Sequence, residues 1–313
     1  AAISGAAEYA ADIAAMKSAP VDEVVKKLTT DDVRQACELF TSLYQATHGV
    51  DGRVSIEVDP RLAHDTEGTI AAGKELWSII DRPNVMIKVP ATVEGLPVIT
   101  ALIAAGISVN VTLIFSVKRY GQVIEAYMKG IEKCEDPTQV HSVASFFISR
   151  IDSSIDALLK KSASPEAAAL LGKAAIANAH LAYQLFEEKF ASERWHALAS
   201  KGAHKQRPLW ASTSTKNPAY RDTLYVDELI GPHTVNTLPD ATLEAFDDHG
   251  RIARTLDADI AQAKHVWQAI ADIGVDHGAV AAQLEREGVS SFQKSFDELL
   301  AALATKAAAL RVS

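Results

Sequence analysis

Two apolar periods alternate along the chain. Short runs with every second residue apolar give way to stretches where apolar residues return every three or four positions, as in half-buried strands and amphipathic helices. GRVSIEVD (52–59) is short and rich in β-branched residues, and the loop PRLAHDTE and a helical run over about 65–80 follow it. NVMIKVPA (84–91) predicts a second strand, and 96–105 a helix ended by Gly106 at its C′ position. ISVNVTLIF (107–115), a helix over about 117–132 and VHSVASFFIS (140–149) continue the alternation. An Ala-rich helical region fills about 151–200. PLWASTST (208–215) and HTVNTLP (233–239) predict the last strands, with helices from there to the C-terminus. The opening AAISGAAEYAADIAAM is helix-like; it does not begin with Met and has neither a basic flank nor an apolar signal-peptide core.

Strands separated by helices imply a parallel sheet, either doubly wound or closed as a (β/α)8 barrel. Side-chain parity favours the barrel. Val54, Ile56 and Val58 oppose Ser55, Glu57 and Asp59; Val85, Ile87 and Val89 oppose Met86 and Lys88; Val109, Val111 and Leu113 oppose Ser108, Asn110 and Thr112. A doubly wound sheet is apolar on both faces because helices cover both. One apolar face, with polar groups gathered toward the strands' C-terminal ends on the other, suits a barrel interior opening into an active site.

Composition narrows this picture little but excludes several alternatives. With 48% hydrophobic and 23% charged residues in 313, the chain can bury a large core. Its net charge of -9 argues against a nucleic-acid surface or a polybasic membrane patch, so an anionic substrate needs a local cationic pocket. No run of about 18 apolar residues is present. The two cysteines, Cys37 and Cys134, lack CxxC or Cys/His spacing, which points to a reducing cytosol without a disulfide framework or zinc site.

Lys88 is the most informative residue. On the polar face of VMIKVPAT it would be desolvated, which disfavours the ammonium form and yields an amine able to attack a ketone. The competing reading is a lysine snorkelling to solvent at a strand end. Glu57, on the polar face of the preceding strand, can shuttle the proton that Schiff-base formation requires, or simply form a structural ion pair with Lys88. Asn110 could bind substrate hydroxyls and Thr112 a catalytic water. Arg150, Ser212 and Lys216 follow later strands, where barrels commonly bind phosphate. GTIAAGKE (68–75) is excluded as a P-loop because Glu75 replaces the required hydroxyl and the segment lies in a predicted helix. His64 and Glu67 read as a helix start capped by Asp65 or Thr66.

VSIEVDPRLAHDTEGTI, VMIKVPAT, VNVTLIFS, SVASFFISRID and LWASTSTKNPAY, in this order, resemble the transaldolase family, especially its longer bacterial branch. The resemblance spans essentially the whole chain and implies one barrel domain over 1–313. It makes Lys88 the Schiff-base lysine, Glu57 its acid/base partner and Thr112 the holder of the water between them. Asn110 and Ser145 would contact a dihydroxyacetone unit, and Arg150, Ser212 and Lys216 a phosphate. The implied reaction passes that unit from a ketose phosphate (sedoheptulose 7-phosphate or fructose 6-phosphate) to an aldose phosphate, without cofactor or metal, in the cytoplasmic pentose phosphate pathway. Two alternatives stand beside it: a related Schiff-base aldolase that releases dihydroxyacetone to water, and an inactive sugar-phosphate-binding fragment. The family's first two strands, with a catalytic aspartate and an Asn-Pro motif, have no counterpart here. Strands 1 and 2 of the barrel are therefore expected in roughly forty to sixty residues before Ala1, and neither Asp51 nor Asp59 takes that aspartate's role. The sequence leaves the oligomeric state open.

Overall fold

The computed structural model describes residues 9–312 apart from 17 and 163; residues 1–8, where the helix-like opening begins, lie outside the described residues. Among the described residues three helices precede the sheet: α1 (Ala10–Ala15), α2 (Val21–Leu39) and α3 (Thr41–Ala46). The first four strands are β1 (Val54–Glu57), β2 (Val85–Pro90), β3 (Val109–Ile114) and β4 (Ser142–Phe147). Between them run α4 (Thr66–Ile80), α5 (Gly95–Ala104) and α6 (Val117–Lys133). Local chemistry sets these boundaries. Asp65 caps α4 by accepting the Gly68 amide at 2.9 Å, and Ser116 caps α6 by accepting that of Arg119 at 3.1 Å. Gly106, with φ of 78°, takes the left-handed turn that follows α5. The near-P-loop segment 68–75 lies inside α4, and His64 pairs with Glu94 at 3.2 Å rather than with Glu67.

The Ala-rich region is not one helical stretch. It divides into α7 (Ser149–Ser162), α8 (Pro165–Ala168), α9 (Ala174–Lys189) and α10 (Glu193–Ala199). Ser164 caps α8 with Pro165 at its first position, Gly172 turns with φ of 72°, and Ser192 caps α10. After β5 (Arg207–Ala211) and the short α11 (Leu224–Asp227), the last strand signal shrinks to β6 (Val235–Asn236), because Pro239 already starts α12 (Asp240–His249). Then come α13 (Ile260–Asp272) and the 36-residue α14 (His277–Val312).

All six strands are parallel and paired in chain order, forming a curled sheet, a half-barrel with helices on its convex side. Among the described residues no strand pairs with the outer side of β1 or β6. Val85, Ile87, Val89, Val109 and Val111, the apolar parity set, are 0% exposed and belong to the main core. Tyr120, Phe146 and Trp210 continue that core through edge-to-face contacts at 6.1 Å.

Leu113 departs from the predicted alternation. The β3–β4 register shifts between Val111 and Ile114, and Leu113 adopts φ of 61°. Its side chain meets Gly288 of α14, where an added β-carbon would stand 2.8 Å from Leu113 Cδ2. This lets α14 cross the strands' C-terminal ends. Gln293 donates to the Pro60 carbonyl at 3.3 Å, and farther along Leu303 joins Ile13, Val24, Val25 and Leu28 in a smaller second core. No helix among the described residues is long and apolar enough to cross a membrane.

Candidate active site

Strand register brings the inward polar residues together. Glu57 on β1 lies beside Lys88 on β2, and Lys88 beside Asn110 on β3. Lys88 Nζ donates to Glu57 Oε2 at 3.0 Å, with both side chains partly buried. Burial pushes the Glu57 carboxyl above its ordinary value, and the neighbouring Lys88 charge opposes that rise. Thr112, two residues after Asn110, is 0% exposed, and its Oγ1 has no hydrogen-bond partner. An unpaired buried hydroxyl is uncommon, and this one keeps both its donor and its acceptor capacity free among the described residues.

Asn110 holds the hollow's second polar line. Its Nδ2 donates to Ser55 Oγ at 3.0 Å and its Oδ1 accepts from Ser145 Oγ at 2.7 Å, tying β1, β3 and β4 together. Lys88, Asn110, Thr112 and Ser145 line a cavity of about 530 Å³ inside the half-barrel, with Ser55 and Phe147. Two helpers escaped the sequence reading. Phe147 shares the inward parity of Ser145, a signal that was present. Phe292 of α14 places its ring 5.2 Å from Lys88 Nζ, and no local pattern could have announced a contact across two hundred residues of chain.

The predicted phosphate ligands are more dispersed. Arg150, in the first turn of α7, lies over the Phe147 ring at 5.4 Å. Ser212 is held in the left-handed region, φ 57°, by Ser149: the Ser149 amide donates to its carbonyl at 3.0 Å and the two hydroxyls pair at 2.9 Å. Lys216 is exposed and donates to Ser214 at 2.8 Å. None of these three lines the cavity that Lys88 faces. Asp51 pairs with Arg207, and Asp59 caps the turn at Pro60–Leu62 and pairs with Arg61, so both carboxylates are engaged elsewhere. No group of three or more His, Cys, Asp or Glu among the described residues could hold a metal ion.

A lysine amine beside a carboxyl group, set in the concave polar face of a curled parallel sheet, is the arrangement of a TIM-barrel-like α/β protein whose strands carry their polar groups inward. Residues 1–303 match the family model described as Transaldolase/Fructose-6-phosphate aldolase. Transaldolase 1 of Streptomyces avermitilis is 56% identical over 306 residues, covering 96% of this chain and 81% of its own. The transaldolases of Mycolicibacterium smegmatis and Acidothermus cellulolyticus are 55% and 54% identical, each over 96% of this chain and 83% of their own. The chain belongs to the transaldolase/fructose-6-phosphate aldolase family and is an enzyme of the transaldolase type.

Proposed function

We propose that this enzyme carries a dihydroxyacetone unit from a ketose phosphate to an aldose phosphate as a Schiff base on Lys88. The Lys88–Glu57 contact at 3.0 Å carries this reading, with the partnerless Thr112 hydroxyl nearby. Lys88 passes its proton to Glu57 and, as the free amine, adds to the ketone carbon to give a carbinolamine. Glu57, protonated more readily because it is buried, gives a proton to the departing hydroxyl, which leaves as water held by Thr112. A base takes the proton of the hydroxyl beside the bond to be broken, the iminium accepts the electron pair of that C–C bond and an aldose phosphate departs; the enamine then attacks the next aldehyde, whose oxygen takes the proton back. The same steps in reverse then free Lys88 by hydrolysis. Asn110 and Ser145, already joined through one hydrogen bond, present an amide and a hydroxyl to the unit's oxygens.

Arg150, with Ser212 and Lys216 on the loop after β5, would meet the phosphate at the mouth, where Arg supplies a fixed charged fork. The working geometry is an eight-stranded barrel, because the edges of β1 and β6 otherwise leave backbone groups and a polar interior unpaired. The reaction belongs to the non-oxidative pentose phosphate pathway in the cytoplasm, and the two free cysteines suit a reducing compartment. Borohydride reduction in the presence of fructose 6-phosphate, followed by peptide mapping, should label Lys88. Labelling of a different lysine, or none in active protein, overturns the assignment.

A further inference from the structure

A second hollow, of about 630 Å³, lies where α6 begins, beside α9, α13 and the first turns of α14. Asn178 of α9 lines it and is 0% exposed. Its Nδ2 donates to the Phe115 carbonyl at 3.0 Å, which fixes the amide, while its Oδ1 has no donor. His277 lines the same hollow, its ring stacked on Trp267 at 3.8 Å and 17°, and its buried Nε2 also lacks a partner. Burial holds the His277 imidazole below its ordinary value, so it enters the hollow neutral.

The rim is cationic in a protein whose net charge is -9. Lys118, Arg119 and Arg286 face one lining carboxylate, Glu285, which pairs with Arg119 at 3.3 Å. Lys118 and Arg286 carry no ion pair among the described residues. Asp276, beside His277, is occupied in accepting the Ala279 amide at 2.9 Å. The first turn of the 17-residue α6 adds the positive end of its dipole. Two cations without an ion pair among the described residues thus share this hollow with two buried polar atoms that lack partners. We propose that this hollow is a second ligand site for a phosphate monoester bearing a free hydroxyl. Lys118 and Arg286 take the phosphate, and the hydroxyl donates to Asn178 Oδ1. The site lies outside the half-barrel yet adjoins it, because Phe115 packs on Phe147 at 5.2 Å and α14 carries both Glu285 and Phe292.

The test is a fluorescence titration of the whole protein with glycerol 3-phosphate at constant ionic strength, reading the signal that Trp267→Phe removes. A saturable change is expected in wild type and in Arg150→Ala, whose substitution leaves this hollow untouched. Lys118→Ala/Arg286→Ala alters exposed side chains only and should weaken binding about tenfold or more, because charge-assisted hydrogen bonds are the strong ones. Methyl phosphate, lacking the free hydroxyl, should bind about 2- to 10-fold more weakly. The proposal falls if no Trp267-dependent saturation occurs up to ~10 mM, as expected where water alone satisfies Asn178. It falls equally if the double substitution changes nothing, if sulfate reproduces the response, or if methyl phosphate binds as well as glycerol 3-phosphate.

Discussion

At residue scale Glu57 pairs with Lys88 and, in the proposed reaction, handles its protons. Glu57→Gln keeps the shape and a hydrogen-bonding group but removes the acid. Turnover should fall about 10²–10⁴-fold, the usual contribution of a positioned proton shuttle, while the denaturation midpoint moves little, because a partly exposed ion pair stabilises weakly. The raised carboxyl also predicts an acid limb of the kcat/KM profile above pH 4.5, absent in Glu57→Gln. Unchanged turnover would make the pair purely structural. Glu57 and Lys88 were legible because a strand sorts its side chains by parity, so two polar residues in apolar runs declare the concave face. The same logic placed Asn110 and Thr112, whereas Ser145 came from the family resemblance. It could not place Phe292, whose neighbourhood depends on how a distant helix lies.

Between elements, the seat of α14 on β3 decides whether Phe292 reaches Lys88. That seat is the missing side chain of Gly288 opposite Leu113. Gly288→Val should lift the helix, destabilise the protein by about 1–3 kcal/mol through overpacking and lower kcat at least ~10-fold by moving Phe292. Adding Leu113→Ala should restore much of both, and a double variant no better than the single one would refute the contact's role. Elements were read well from period and caps, and poorly where composition hid punctuation. The region over 151–200 looked continuous because alanine suits helix anywhere; Pro165, Gly172 and the Ser192 cap divide it. The irregular end of β3 was invisible for a different reason. Leu113 is an unremarkable strand residue, and its turn toward α14 comes with a register shift against β4 and a positive φ that no local pattern encodes.

The scale of the whole molecule brings in its response to pH. Asp152 of α7 is almost fully buried, accepting from the Ala175 amide at 2.7 Å and from Tyr225 Oη at 2.6 Å, so it links α7 to α9 and α11. Burial pushes its carboxyl from 3.8 to about 6, against the lowering effect of those bonds. A group raised on folding supports the folded state fully below its unfolded value and loses that support as pH rises through the folded one. The difference corresponds to roughly 3 kcal/mol. Asp152→Asn cannot ionise, so relative to wild type its unfolding free energy should improve by up to that amount between pH 4 and 7. Parallel curves from urea melts would contradict it. At this scale the sequence revealed the parallel order and the inward chemistry, whereas sheet closure depends on pairing that no single strand encodes. The order of synthesis gives α14 a further meaning. A chain leaving the ribosome can pair its strands before this helix exists, as segments made early tend to fold first. During that interval Lys88 has no Phe292 above it and stands open to any passing aldehyde, so the amine is shielded only once a segment made after β1–β6 has docked.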